Sequence, residues 1–124
     1  MRKYIVDNIL YTDMTKHFVF MGEIKAMPGK EDFDPAAPKY KPDILKALVH
    51  AADVGNPARP FDICKIWAFK IISEFFAQGD KEKEMGLDIT MMCDRNTTNV
   101  GGSQVGFIDF VVLPYFDALA KILP

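Results

Sequence analysis

Histidine, serine and cysteine are scarce in this sequence. Its 124 residues hold two of each: His17 and His50, Ser73 and Ser103, Cys64 and Cys93. A serine hydrolase is poorly supported, because there is no G-x-S-x-G and both serines fall inside expected helices. A cysteine nucleophile fares no better, since neither cysteine has a histidine near it in sequence. Two isolated cysteines build neither a disulfide framework nor a four-ligand zinc site. They read as reduced thiols in a cytoplasmic protein. A P-loop and a dinucleotide fingerprint are missing. No long basic run exists and the net charge is −2, which argues against a nucleic acid held by counterion release. The longest charge-free stretch, Asn96 to Ile108, is too short and too glycine-rich to span a bilayer. No apolar signal core follows Arg2 and Lys3.

What is present is globular. Hydrophobic residues make up 49%, aromatics 12% and charged residues 26%, values that exclude a disordered tail. The length allows one domain or a piece of one, and a chain of this size buries roughly 65% of its unfolded surface. There is no internal repeat and no useful strand-period alternation. The expected fold class is all-α.

Helical spacing of Ile5, Ile9, Phe20 and Ile24 predicts one helix over residues 2–26. Asp13 and His17 lie on the same line. Either they hydrogen-bond at i, i+4, or this face borders a polar cleft. Residues 27–42 are a loop, because Pro28, Pro35, Pro38 and Pro42 fall within sixteen residues and no helix survives that density. A second long helix is expected from about Asp43 to Asp53. Leu45, Val49 and Asp53 are spaced four apart, which puts Asp53 at the end of an apolar stripe. A carboxylate is the wrong charge for that end of a helix dipole, and a bound cation would compensate it. A third helix is expected from Asp62 to Gln78, stopped by Gly79. Its wide apolar arc, from Ile63 through Trp67 to Phe76, suggests burial on more than one side. Asp80 then caps a short helix 81–85 that ends at Gly86. After a loop at 87–96, a last helix begins near Thr97 or Thr98 and is bent or broken at Pro114. It carries Gly101, Gly102 and Gly106, each costing about 1 kcal/mol against alanine.

Two spots have chemical potential. In His50-Ala-Ala-Asp53 the i, i+3 spacing puts imidazole and carboxylate on one helix side. That suits a zinc, manganese or magnesium ion, and equally a hydrogen-bonded pair. The other spot is Gln104 with Phe107. A glutamine amide donates and accepts at once and can read a purine edge. An aromatic three residues on can stack on the base. A buried glutamine in a tight helix contact is the alternative.

Five segments in one order carry a family resemblance. They are Thr12-Asp13-Met14-Thr15-Lys16-His17, His50-Ala-Ala-Asp53-Val-Gly-Asn56-Pro57, Glu74-Phe75-Phe76-Ala-Gln78-Gly79-Asp80, Cys93-Asp94-Arg95 and Ser103-Gln104-Val105-Gly106-Phe107-Ile108-Asp109. Together they resemble the class I cyclic nucleotide phosphodiesterase catalytic domain, from about residue 2 to residue 117. The loop at 27–42 matches least. The resemblance implies a multi-helical domain of the HD type with a two-metal pocket. There zinc and magnesium or manganese bridge a hydroxide that attacks the cyclic phosphate, and a histidine protonates the leaving oxygen. It implies that Asp53 is a metal ligand, that Gln104 binds the purine, and that Phe107 forms one jaw of an aromatic clamp. Ile71 and Phe75 form the opposing wall, and Met14, Asn56, Met92 and Ser103 line the pocket. His50 matches a histidine near the site that is not itself a ligand. Asn56 resembles the residue of cAMP-preferring members, so cAMP is favoured over cGMP.

The family's H-N-x-x-H segment and H-D pair have no counterpart here. Three of four protein metal ligands and the general acid are therefore absent from residues 1–124, and no catalytic residue is identified. The expectation is that the chain is the C-terminal part of a single catalytic domain, whose N-terminal helices would cover the third helix. As a hydrolase it would act on cAMP or cGMP in signal transduction, with no nucleic acid partner and no membrane segment of its own. The alternative is a catalytically incompetent piece that binds nucleotide, or a helical interaction module.

Overall fold

The computed structural model describes residues 2–123. Six α-helices carry the fold: α1 (Arg2–Leu10), α2 (His17–Ala26), α3 (Lys41–Val54), α4 (Phe61–Glu84), α5 (Val100–Phe107) and α6 (Leu113–Ala120). No β-strand occurs among the described residues, so the all-α expectation stands. The chain divides into two compact units, residues 1–55 with 112–124, and residues 56–111.

In the first unit the predicted single helix over 2–26 is two helices. The break is local chemistry. Thr12 donates its hydroxyl to the Ile9 carbonyl (2.8 Å), and Lys16 Nζ reaches the Leu10 carbonyl (3.0 Å), satisfying the end of α1. Asp13 is extended at ψ 117°, and its carboxylate accepts from the Thr15 amide at 2.9 Å. These side chains offer the backbone an alternative to the helix ladder. Asp13 therefore caps a 3₁₀ turn at Met14–Lys16 and does not bond His17, as the helical spacing had suggested. The Thr15 amide and hydroxyl hold its carboxyl below the usual range.

The core of this unit joins Phe20 and Ile24 of α2 to Ile44, Ala47 and Ala51 of α3 and to Tyr115, Ala118 and Leu119 of α6. On α3 the buried line is thus Ile44, Ala47, Ala51 and Val54. The Leu45–Val49–Asp53 line lies off the core and is exposed along its length. Residues 27–40 are non-helical apart from a single 3₁₀ turn, Met27–Gly29, and α3 begins at Lys41, two residues inside the expected loop, with Pro42 in its first turn where a missing amide costs nothing.

In the second unit, α4 runs six residues beyond its predicted stop. Gly79 is no terminator. It is buried, and a Cβ there would sit 2.1 Å from the Cys93 carbonyl oxygen. The glycine admits a crossing backbone. Asp80 lies inside the helix, paired with Arg95, whose guanidinium also stacks over Phe76 at 5.4 Å. The helix ends where Gly86 adopts φ 69°, as the glycine there predicts. The expected burial of α4 on more than one side is not seen. Ala68, Ile72 and Gly79 are its buried residues, while Ile63, Ile66, Trp67, Phe69 and Ile71 are exposed.

Asn99 caps α5 through its side chain, accepting from the Gly102 amide at 2.9 Å, so the helix starts two residues later than expected. Between α5 and α6 lies a π-helical turn, Ile108–Val112. Pro114 cannot donate an amide to the preceding turn, and the helix accommodates it by this wider turn rather than by breaking. The run Val100–Ala120 is consequently helical throughout. It is long and apolar enough to cross a membrane by length and composition, which the charge-free stretch alone did not reveal.

Candidate functional site

The cleft of greatest chemical interest lies in the second unit. It encloses about 610 Å³, within the range of small-molecule sites at about 300–1,000 Å³. Gln104 and Ile108 line it, with Phe61, Cys64, Ala68 and Phe69 of α4. Gln104 is half-buried, so part of its side chain is open to the cleft. Arg59 and Lys65 also border the cleft, with no carboxylate in its wall.

Of the residues implicated by resemblance, Gln104 is the one this cleft contains. Phe107 is half-buried in the last turn of α5, and Ile71 and Phe75 lie one turn apart on α4. All three stand outside the cleft lining, whose aromatic walls are Phe61 and Phe69. Sequence reading passed over these two because nothing in the apolar pattern of α4 says which of its many aromatics faces α5.

Asn56 opens a 3₁₀ turn, Asn56–Ala58, beside the same cleft residues. Its Nδ2 donates to the Cys64 carbonyl at 3.3 Å, while its Oδ1 is buried with no partner among the described residues. Such an orphaned acceptor costs about 1–3 kcal/mol. Ser103 turns its hydroxyl inward to the Val100 carbonyl at 2.8 Å. Met92 sits at φ 71°, in the left-handed region, a strain of about 1–3 kcal/mol for a side chain of this kind.

In the first unit Asp53 is exposed on the last turn of α3, and Met14 is exposed in its 3₁₀ turn. Among the described residues no group of three or more histidine, cysteine, aspartate or glutamate side chains could hold a metal ion. The residues present therefore do not form the two-metal centre that the resemblance implies. Asp53 can offer one carboxylate to such a centre and no more.

A second feature of this unit joins the histidines of two of the quoted segments. His17 and His50 are both completely buried, and His17 Nδ1 lies 2.9 Å from His50 Nε2. Tyr115 packs against both rings, with centroids at 5.4 and 4.9 Å, and donates its hydroxyl to the Ala47 carbonyl. Burial lowers the pKa of both histidines. His50 lowers that of His17 further, and the charge of Asp53 opposes the fall at His50. Burial likewise pushes the Tyr115 hydroxyl up. Two neutral imidazoles share one hydrogen bond, so whichever donates, one outer N–H and one outer lone pair remain. Those outer atoms, His17 Nε2 and His50 Nδ1, have no partner among the described residues.

Comparison with known proteins covers nearly the whole chain. The family described as 3'5'-cyclic nucleotide phosphodiesterase matches residues 1–124. The chain is 38% identical over 131 residues to the rat 3',5'-cyclic-AMP phosphodiesterase 4C, covering 99% of the chain and 24% of that protein. It is also 38% identical to the probable 3',5'-cyclic-AMP phosphodiesterase pde-4 of Caenorhabditis elegans, covering 98% of the chain and 19% of that protein. Among solved structures, LmjPDEB1 in complex with IBMX superimposes with a TM-score of 0.89 at 31% identity, over 98% of this chain and 36% of that one. The chain thus spans a quarter or less of these curated relatives.

Proposed function

The chain belongs to the 3',5'-cyclic nucleotide phosphodiesterase family, and we propose from this that it carries the base-recognising portion of a cyclic nucleotide hydrolase and contributes Asp53 to its metal site. The position of Gln104 on the wall of an apolar cleft carries the reading. A primary amide there donates and accepts at once, so it pairs with a purine edge while the aromatic walls take the ring face. The resemblance further assigns Phe107, Phe75, Ile71, Met92, Ser103 and Met14 to substrate binding. The match over residues 1–124 also makes the apolar run Val100–Ala120 a helix of this domain.

Cyclic AMP is the favoured substrate. The relatives are named as cyclic-AMP enzymes, and Asn56 supports the same choice. Asn56 resembles the residue of cAMP-preferring members of the family. Zinc with magnesium or manganese would act as Lewis acids at the phosphate, with Asp53 as one of several ligands. The remaining ligands are not among the described residues. The free thiols Cys64 and Cys93 support a cytoplasmic location.

Fluorescence titration of the chain with a labelled cyclic AMP tests the base site. Gln104→Ala is expected to weaken binding about tenfold to a hundredfold, the loss of one or two hydrogen bonds to the base. Unchanged affinity sinks the assignment. A second reading, a nucleotide-binding module without catalysis, is favoured by the missing ligand cluster. Binding that is indifferent to EDTA, together with hydrolysis by the full-length protein that survives Asp53→Ala, selects that reading.

A further inference from the structure

The motif chemistry leaves the buried His17–His50 pair unused. We propose that His17 is a positioning residue for Asp53, and that its hydrogen bond to His50 locks the roll of α3 and so the direction in which Asp53 leaves the last helical turn. The inference rests on the reading of Asp53 as a metal ligand given above.

Three observations carry it. The bond joins the first residue of α2 to the C-terminal half of α3, 33 residues away, at 2.9 Å in a site closed to solvent. His50 precedes Asp53 by three residues, about 4.5 Å along the axis, so a rotation of α3 at His50 is carried directly to Asp53. On α3 the buried residues flanking His50, Ala47 and Ala51, are small and their packing is non-directional. Packing of that kind tolerates a few degrees of roll, whereas a hydrogen bond is sharply directional.

The pair is also an unfavourable way to fill a core, because its two outer nitrogens are buried without partners among the described residues. Buried polar groups kept at such a cost are best attested where they fix one arrangement against its neighbours. The surroundings leave the bond few competitors. From α6 the facing group is the Tyr115 ring, and its hydroxyl is engaged by Ala47. From α3 the nearest charge is Asp53. Lys16, adjacent to His17, points away to the Leu10 carbonyl, and Asp13 is held by Thr15.

The test is amide hydrogen exchange and chemical shift, followed by NMR on the full chain, for Ala52 to Gly55 at the end of α3. His17→Leu is expected to lower protection there by about fivefold or more, the loss of one buried hydrogen bond, while Phe20 and Ile24 in the core keep theirs. His17→Asn places an amide near the former Nδ1. That amide accepts from His50 when the imidazole is protonated and either accepts or donates when it is neutral. On acidification to below the lowered pKa values of both rings, where both carry charge, the wild-type chain should lose protection at Ala52–Gly55, because two imidazolium rings cannot share a hydrogen bond. His17→Asn should hold its protection over the same range. Parallel loss in wild type and His17→Asn overturns the proposal, and so does a folded His17→Leu with unchanged signals at Ala52–Gly55. If His17→Leu does not fold, the asparagine arm decides alone. Neither arm depends on metal or nucleotide, so failure here is distinct from failure of the Asp53 assignment.

Discussion

Replacing Gly79 by alanine adds one methyl group in the interior of a 24-residue helix. By helix propensity alone the change stabilises by about 1 kcal/mol. The tertiary contact predicts the opposite sign. The new Cβ would lie 2.1 Å from the Cys93 carbonyl oxygen, 2.7 Å from its carbonyl carbon and 3.0 Å from its Cβ. Two of these are backbone atoms that cannot rotate away, so α4 or the 87–96 loop must shift. Overpacking of this kind costs about 1–3 kcal/mol and occasionally more. With backbone on both sides of the clash the upper figure applies, and the net effect after the propensity gain is about 2 kcal/mol of destabilisation. Gly22→Ala is the matched control, since that glycine also sits inside a helix and nothing lies within 4 Å of its would-be Cβ. Thermal melts by far-ultraviolet circular dichroism separate the two. At about 4 °C per kcal/mol for a chain of this size, Gly79→Ala should lower the midpoint by roughly 8 °C and Gly22→Ala should raise it by roughly 4 °C. If both variants are stabilised, the close approach of Cys93 to α4 is refuted.

Two further outcomes follow from the same geometry. His17 and His50 have pKa values below 6.5 when folded, so the unfolded chain binds more protons as the pH falls and stability rises with pH through that window. The urea midpoint should be level above about pH 7 and fall below about pH 6.5, a fall that His17→Asn reduces. Asn99→Ala removes the side-chain cap of α5 and should cost about 1 kcal/mol, seen as faster amide exchange at Gly101, Gly102 and Ser103.

Legibility was uneven between elements for reasons that can be named. The end of α4 at Gly86 and the start of α3 near its prolines were readable because they depend on backbone conformations that only those residues permit. The break after α1 was not, because the apolar spacing of Ile5, Ile9, Phe20 and Ile24 continues across it while Thr12, Asp13 and Lys16 redirect the backbone with their side chains. Gly79 deceived for a different reason. A glycine that ends a helix and a glycine that admits a crossing chain look alike until the crossing chain, here Cys93, is in place. At the site, Gln104 was identified from its motif and found on a cleft. The partners Phe61 and Phe69 were not, because α4 is apolar on too many sides for periodicity to choose among them.

The linear order of residues determined the family and the helical class by itself. Five short segments in one order leave few alternatives, and helical periodicity with proline and glycine punctuation is a local property of a chain. The tertiary structure alone decided which face of each helix is buried. It put Leu45, Val49 and Asp53 outside the first unit's core and His50 inside it. It also paired His17 with a histidine 33 residues distant, because a hydrogen bond between helices depends on how they pack, and packing is a property of the folded chain rather than of any window within it.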